Sequence, residues 1–279
     1  MNKFIGKIIA FAMLCVCMSA NTCAAADGFD WEKGVIRVTG MSVAPTGQST
    51  KGAFAKAHIR QAARMDAKRQ LAEILIGVTV DTSTDITKYL VTSETISTSV
   101  VMDENHPLSK ISAHKVHEAF LKDGGYEVTL ELALFGRTDS AALAFYPQYT
   151  PLPLPNPKTN VATRGNYTGV IVDFRDTGFA PGFEPTISDG TRTIYCYKNV
   201  DRDTLVTKGA VYYAQDINQA ARARLGDNPL FVRGSKIETK NEKGYTEKNY
   251  YISPADADRI LAENKRSGFL QKANVVFLR

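Results

Sequence analysis

The sequence predicts an α+β protein of two small domains, and three observations carry that expectation. A long alanine-rich run from Lys51 to Ile76 is amphipathic, stops at Gly77 and passes straight into the β-branched Val78-Thr79-Val80. Segments such as Tyr126 to Phe135, YEVTLELALF, alternate with the period of two that suits half-buried strands. Between the halves, Pro147, Pro151, Pro153, Pro155 and Pro157 alternate with other residues, and each proline biases its predecessor toward extended backbone. The expected division is a signal segment at 1–26, a first domain at 27–145, a proline-rich spacer at 146–166 and a second domain at 167–279.

The first residues read as a secretory signal peptide: Lys3 and Lys7 are basic, Ile8 to Met18 is apolar, and Ala24-Ala25-Ala26 offers small residues for cleavage before Asp27. The apolar core is shorter than the ~20 residues a membrane span needs, and no second run of that length follows. An exported chain, periplasmic or at the cell surface and without a transmembrane segment, is therefore expected. Cys15, Cys17 and Cys23 raise lipidation as an alternative, but none stands in a good lipobox, so cleavage after Ala26 is the expected outcome. Cleavage leaves Cys196 as the single cysteine, which excludes an intrachain disulfide. It also removes two of the 34 cations, so net charge falls from +5 to +3 against 29 acids, too mild for a nucleic-acid binder.

In the first domain, Gly34 to Val43 alternates as a strand and the long helix follows from about Lys51 to Ile76. Ser83 to Met102 fits a short helix or a strand. Ser109 to Leu121 and Tyr126 to Phe135 read as two strands joined by the turn Lys122-Asp123-Gly124-Gly125. A helix lying across at least three strands is the economical way to bury these faces. In the second domain, strands are expected at Gly169 to Phe174, Thr191 to Tyr197, Leu230 to Glu238, Lys248 to Ile252 and Ala273 to Leu278. A Gly/Pro-rich turn spans Asp176 to Pro185. Helices are expected at Ala214 to Leu225 and from Pro254 to about Gly268, the latter with Ser253 as its N-cap.

The residues with chemical potential are few. Lys56, Arg60, Arg64 and Lys68 recur every four positions and form one cationic ridge, a candidate surface for an acidic partner such as an anionic envelope polymer or lipid headgroup. A solvated helix face explains the same pattern. Ala55, Ala62, Ala63 and Ala67 are expected to let the helix approach the sheet closely. His114 and His117 are three apart in a strand, which places them on opposite faces and argues against a metal pair. Asp173, Asp176, Glu184 and Asp189, and the pair Asp201 and Asp203, lack the register of a calcium loop and read as turn and cap residues. Cys196 reads as a core residue, and Tyr250 and Tyr251 are expected to split between strand faces. No nucleophile elbow, zinc-protease, phosphate-loop or dinucleotide motif is present, so no catalytic residue, metal ligand or cofactor is predicted.

VIRVTGMSVAP, then AKAHIRQAARMDAKRQLAEILIGVTVDTSTDI and DGGYEVTLELALFG, resemble the lipoprotein-20-like family, which includes the N-terminal domain of flagellar assembly protein T. The resemblance implies a dodecin-like helix-on-sheet fold and a non-enzymatic role in the bacterial envelope. The second half, with GDNPLFVRG and ISPADADRILAENKRSGFLQKANVVF, looks similar to the TolB N-terminal domain. The expectation is a non-enzymatic envelope protein that assembles with itself or with another envelope structure, the flagellar basal body being one candidate. The alternative is a module that binds peptidoglycan or a small ligand. An enzyme of unrecognised type is the third reading.

Overall fold

The computed structural model describes residues 28–43, 52–76, 112–136, 138–146, 148–240 and 246–279. The signal segment, the strand expected at Val78 to Val80 and the ambiguous Ser83 to Met102 lie outside the described residues. The protein is mixed α+β, with a helix-on-sheet domain followed by a second domain that carries helices on both faces of a mostly parallel sheet.

The first domain is an antiparallel sheet of β1 (Gly28–Asp30), β2 (Val35–Ser42), β3 (His114–Phe120) and β4 (Tyr126–Ala133) in the order β1-β2-β4-β3. Helix α1 (Ala53–Ile76) covers one face. Strand alternation decides which side chains meet it: Ile36 and Val38 of β2 pair with Leu132 and Leu130 of β4, and all four are buried. The helix answers with Ile59, Ala63, Ala67 and Leu71, one every four residues. Gly40 sits directly beneath this stripe. A Cβ there would overlap the Ala63 carbonyl and the Ala67 amide, and would lie 2.7 Å from the Ala67 Cβ. Two alanines above a glycine thus set the spacing of helix and sheet. Ala62 does not share in this and is exposed, because one residue turns a helical side chain by ~100°.

The β3–β4 hairpin closes as its residues predict. Gly124 takes a positive φ of 86°, and the Asp123 carboxylate accepts the Gly125 N–H at 2.9 Å. A short helix, α2 (Ala142–Phe145), ends the domain.

The second domain has a five-stranded sheet in the order β10-β9-β5-β11-β8. Its strands are β5 (Gly169–Asp173), β8 (Tyr212–Ala214), β9 (Pro229–Lys240), β10 (Thr246–Ile252) and β11 (Val275–Leu278); β6 (Ile187–Ser188) and β7 (Thr193–Tyr195) form a separate hairpin. Strands β9, β5, β11 and β8 run parallel. They read as near-continuous apolar runs, GVIVD and VVFL, because both faces are covered. The core on one face joins Val170, Val172, Phe277 and Leu230 to Ile260 and Leu261 of α5 (Pro254–Ser267). On the other, Ile171, Val276 and Leu278 meet Ala221 and Leu225 of α4 (Gln219–Leu225).

Helix α5 starts as expected, with the Ser253 hydroxyl accepting the Asp256 N–H at 3.0 Å and Gly268 in the left-handed region at its end. The helix expected from Ala214 is shorter. Tyr212–Ala214 is strand β8, and α4 begins only after Asn218, whose side chain accepts the Ala221 N–H at 2.9 Å. A further helix, α3 (Arg202–Lys208), starts at Asp201, which caps the Thr204 N–H at 2.8 Å as its reading as a cap residue implies.

The proline-rich segment is extended, yet it does not hang free between the halves. The Leu152 N–H donates to the Lys198 carbonyl at 2.7 Å, and the Lys158 and Thr159 amides donate to Asp258 of α5, each at 2.8 Å. The Arg164 amide donates to Glu263 of the same helix at 2.7 Å. Prolines keep the segment from bonding to itself, so its amides turn to distant partners, a backbone carbonyl for Leu152 and carboxylates about 100 residues away for Lys158, Thr159 and Arg164.

Candidate functional site at the joint of the two domains

The cationic ridge of α1 lies one residue past the buried stripe at every turn, so it flanks the helix–sheet contact above the edge strand β3. There the cations meet partners of the same chain. The Arg60 guanidinium stands 5.1 Å from the Phe120 ring centre and 5.7 Å from that of Tyr126, and the Lys56 ammonium 5.7 Å from Phe120. Arg64 pairs with Glu118 at 3.5 Å. Lys68 is exposed. Lys115 and the Tyr126 hydroxyl also bond Glu118 and hold its carboxyl down to about 2.

The two histidines behave differently from expectation. A register shift in β3 between Lys115 and His117 sets His114 opposite Glu131 and His117 opposite Thr129. Glu131 and Thr129 lie on one face of β4, so the bulge cancels the odd spacing and puts both histidines on that face. His114 Nε2 lies 2.5 Å from Asp139, and His117 Nε2 lies 3.2 Å from Glu127. Among the described residues no three His, Cys, Asp or Glu side chains come together as a metal site. The acidic residues near β5 go to separate tasks: Asp173 to Arg175 at 2.7 Å, and buried Asp189 to Arg192 at 2.8 Å. Cys196 is half-buried rather than in the core, while its neighbours Tyr195 and Tyr197 are buried.

The most heavily built region lies where the domains meet. Phe183, from the Gly/Pro-rich turn of the second domain, is buried in the core of the first. Its ring centre stands 4.3 Å from Phe145, 5.2 Å from Trp31 and 5.9 Å from Phe135. Trp31 stacks on Phe29 at 4.9 Å and meets Tyr213 edge-on at 5.5 Å. Hydrogen bonds frame this cluster: the Tyr146 hydroxyl donates to the Phe183 carbonyl at 2.6 Å, the Gly136 amide to the Val206 carbonyl at 2.9 Å, and Asn218 Nδ2 to Glu32 at 2.6 Å. Gly209 takes a positive φ of 69° at the end of α3, where a Cβ would stand 2.8 Å from the Phe135 ring. The two domains therefore share one continuous apolar seam.

Two cavities adjoin the joint. One, of about 540 Å³, is lined from both domains by Trp31, Glu32, Lys208, Tyr212, Arg224 and Asn274. The other, of about 580 Å³, lies between the 179–190 region and β10; Phe179, Tyr213 and Tyr250 give it aromatic walls, and Glu184, Ser188 and Asn249 add polar groups. Tyr251 also lines it. The uninterrupted β9–β10 register puts adjacent Tyr250 and Tyr251 on opposite faces of the strand, as expected, although both border this cavity. The sequence offered no sign of the joint beyond aromatic residues in turn-like segments.

Comparison with known proteins touches the second domain: residues 169–279 match the family of the second domain of Treponema pallidum Tp0624. No curated protein matches the chain. The C-terminal domain is thus similar to the second domain of that Treponema pallidum protein.

Proposed function

We propose that this chain is a non-enzymatic component of the bacterial envelope that works by contact, as an assembly or scaffold element. The observation that carries the reading is the joint. Phe183 seated in the neighbouring core makes the two domains one body, which presents two unlike outer surfaces at a fixed angle. A scaffold needs such a fixed geometry, whereas domains with a small polar interface are free to move. The export signal read at 1–26 and the likeness of the first half to the lipoprotein-20-like family and to the flagellar assembly protein T domain agree with it. The flagellar basal body is one candidate assembly. Among the described residues no helix is long and apolar enough to cross a membrane.

In a deletion strain, loss of an envelope structure or of motility, restored by the wild-type chain, is the expected result. Normal envelope assembly and motility in that strain would remove the reading.

The aromatic-walled cavity beside β10 favours a second reading, binding of an envelope polymer such as peptidoglycan. Aromatic faces with hydroxyl, amide and carboxylate groups suit a sugar-bearing chain. Salt-sensitive retention on isolated sacculi, lost when Lys56, Arg60, Arg64 and Lys68 are all changed to Glu, would place the polymer on the α1 ridge. Retention that survives those changes and is lost in Tyr251→Ala would place it in the cavity, and no retention at all would end this reading.

A further inference from the structure

We propose that the cleft lined by both domains is a binding site for a small oxyanion, a carboxylate or phosphate group carried by a ligand, held by Lys208 and Arg224. This goes beyond the assembly reading and does not depend on it.

The two cations line the same cleft, and Lys208 feels the charge of Arg224. Arg224 spends its guanidinium on backbone carbonyls: Nε on Ala273 at 2.7 Å, one terminal nitrogen on Gly209 at 2.6 Å and the other on Lys208. Those carbonyls include the C-terminal end of α3, whose dipole offsets part of the charge. Two of the five N–H groups remain. Lys208 Nζ donates to the Asn274 side-chain oxygen at 3.0 Å, and Asn274 is oriented for this by its own amide, which donates to the Thr168 carbonyl at 2.9 Å. An ammonium has three N–H groups, and Asn274 takes one.

Among the described residues neither cation has a carboxylate in ion-pair contact. Neither nearby carboxylate forms an ion pair with them: Glu32, which also lines the cleft, accepts from Asn218 at 2.6 Å, and Asp201, whose charge favours the Lys208 ammonium without contact, accepts from Thr204 at 2.8 Å. Lys33, the other cation at the cleft, pairs with Asp30 at 3.1 Å. Burial and then the adjacent guanidinium push the Lys208 ammonium down to about 8, and burial pushes Arg224 down to about 10. Two half-buried charges of one sign disfavour each other, and an anion between them relieves both costs. A cavity of about 540 Å³ has the size of a small-ligand site, and Trp31 and Tyr212 supply apolar walls for the body that carries the anion.

The test is isothermal titration of the mature chain with inorganic phosphate and, separately, acetate, at constant ionic strength with chloride as the control. Saturable binding of either probe but not of chloride is expected, and which probe binds distinguishes a phosphate-bearing from a carboxylate-bearing ligand. In Lys208→Met the affinity should fall at least about tenfold, as expected for loss of a charge-assisted hydrogen bond. The free variant should melt no lower than the wild type, because it loses an uncompensated charge. Absence of saturable binding by both probes would overturn the site, and so would equal binding to wild type and Lys208→Met. A Lys208→Met chain that melts well below the wild type, with no probe bound to either, would mark Lys208 as structural and overturn it too.

Discussion

The two domains hold their charged residues in opposite ways. In the first, Lys56, Arg60, Arg64 and Glu118 lie on the rim of a helix–sheet contact, where partners and water share them. In the second, Asp258, Asp189, Glu263 and Arg192 are drawn inward and bonded to backbone amides or to each other. Rim charges add little to stability because water competes for them. Inward charges select a chain path, because each needs particular partners: Asp258 accepts two amides and the Thr159 hydroxyl, and so fixes where the proline-rich segment runs. The regular cationic ridge of α1 is therefore the less demanding arrangement. The demanding charges belong to the second domain and the joint.

The largest effect should come from the seam between the domains. Phe183→Ala removes a buried ring from the aromatic cluster at the joint and should cost about 3–5 kcal/mol. Chemical denaturation of both chains measures it, and a cost under about 1 kcal/mol would mean the domains fold without the seam.

Asp258→Ala comes next, at about 2–4 kcal/mol, since it strands the Lys158 and Thr159 amides and takes one of the two carboxylates from Arg192. The same group makes an acid prediction. The Thr159 hydroxyl and the Lys158 amide hold the Asp258 carboxyl well below the ordinary carboxylate value of 3.8. At Asp189 burial works the other way, but bonds from Arg192 and Thr191 outweigh it and the carboxyl is also held low. A carboxyl depressed in the folded state stabilises the fold at all pH above its unfolded value and loses that contribution as pH falls below it. Stability should therefore drop below pH ~4 in the wild type and drop less in Asp258→Asn, as denaturation midpoints at pH 6 and pH 3 would show.

The smallest effect belongs to the rim. Phe120→Ala, which withdraws the ring from Lys56 and Arg60, should cost about 0.5–1 kcal/mol in the same assay. A cost as large as that of Asp258→Ala would erase the contrast between the domains.

Much of this architecture was legible in the sequence where local pattern decides the outcome. The alternation of YEVTLELA is the buried and half-buried alternation of β4, and the Ser253-Pro254 start of α5 is a local hydrogen-bonding motif. Features that depend on distant partners were not. Phe183 stands in a stretch of glycine and proline that reads as a turn, and rings of the other domain, Phe29, Trp31, Phe135 and Phe145, make it core. Proline spacing predicts the extended backbone of the mid-chain segment, but its docking depends on Asp258 and Glu263. Helix α3 has only seven residues, RDTLVTK, too few for a clear period, although Asp201 and Gly209 mark its ends. The bulge that brings His114 and His117 to one face has no signature in the spacing itself. The Lys208–Arg224 pair was equally hidden, since the two cations come together only through the fold around Asn274.

The claim that the domains form one body is tested most directly by calorimetry of residues 27–279 beside Phe183→Ala. A continuous seam predicts a single wild-type transition whose calorimetric and van't Hoff enthalpies agree, and its separation into two in the variant. Two resolved transitions in the wild type, unmoved by Phe183→Ala, would contradict it.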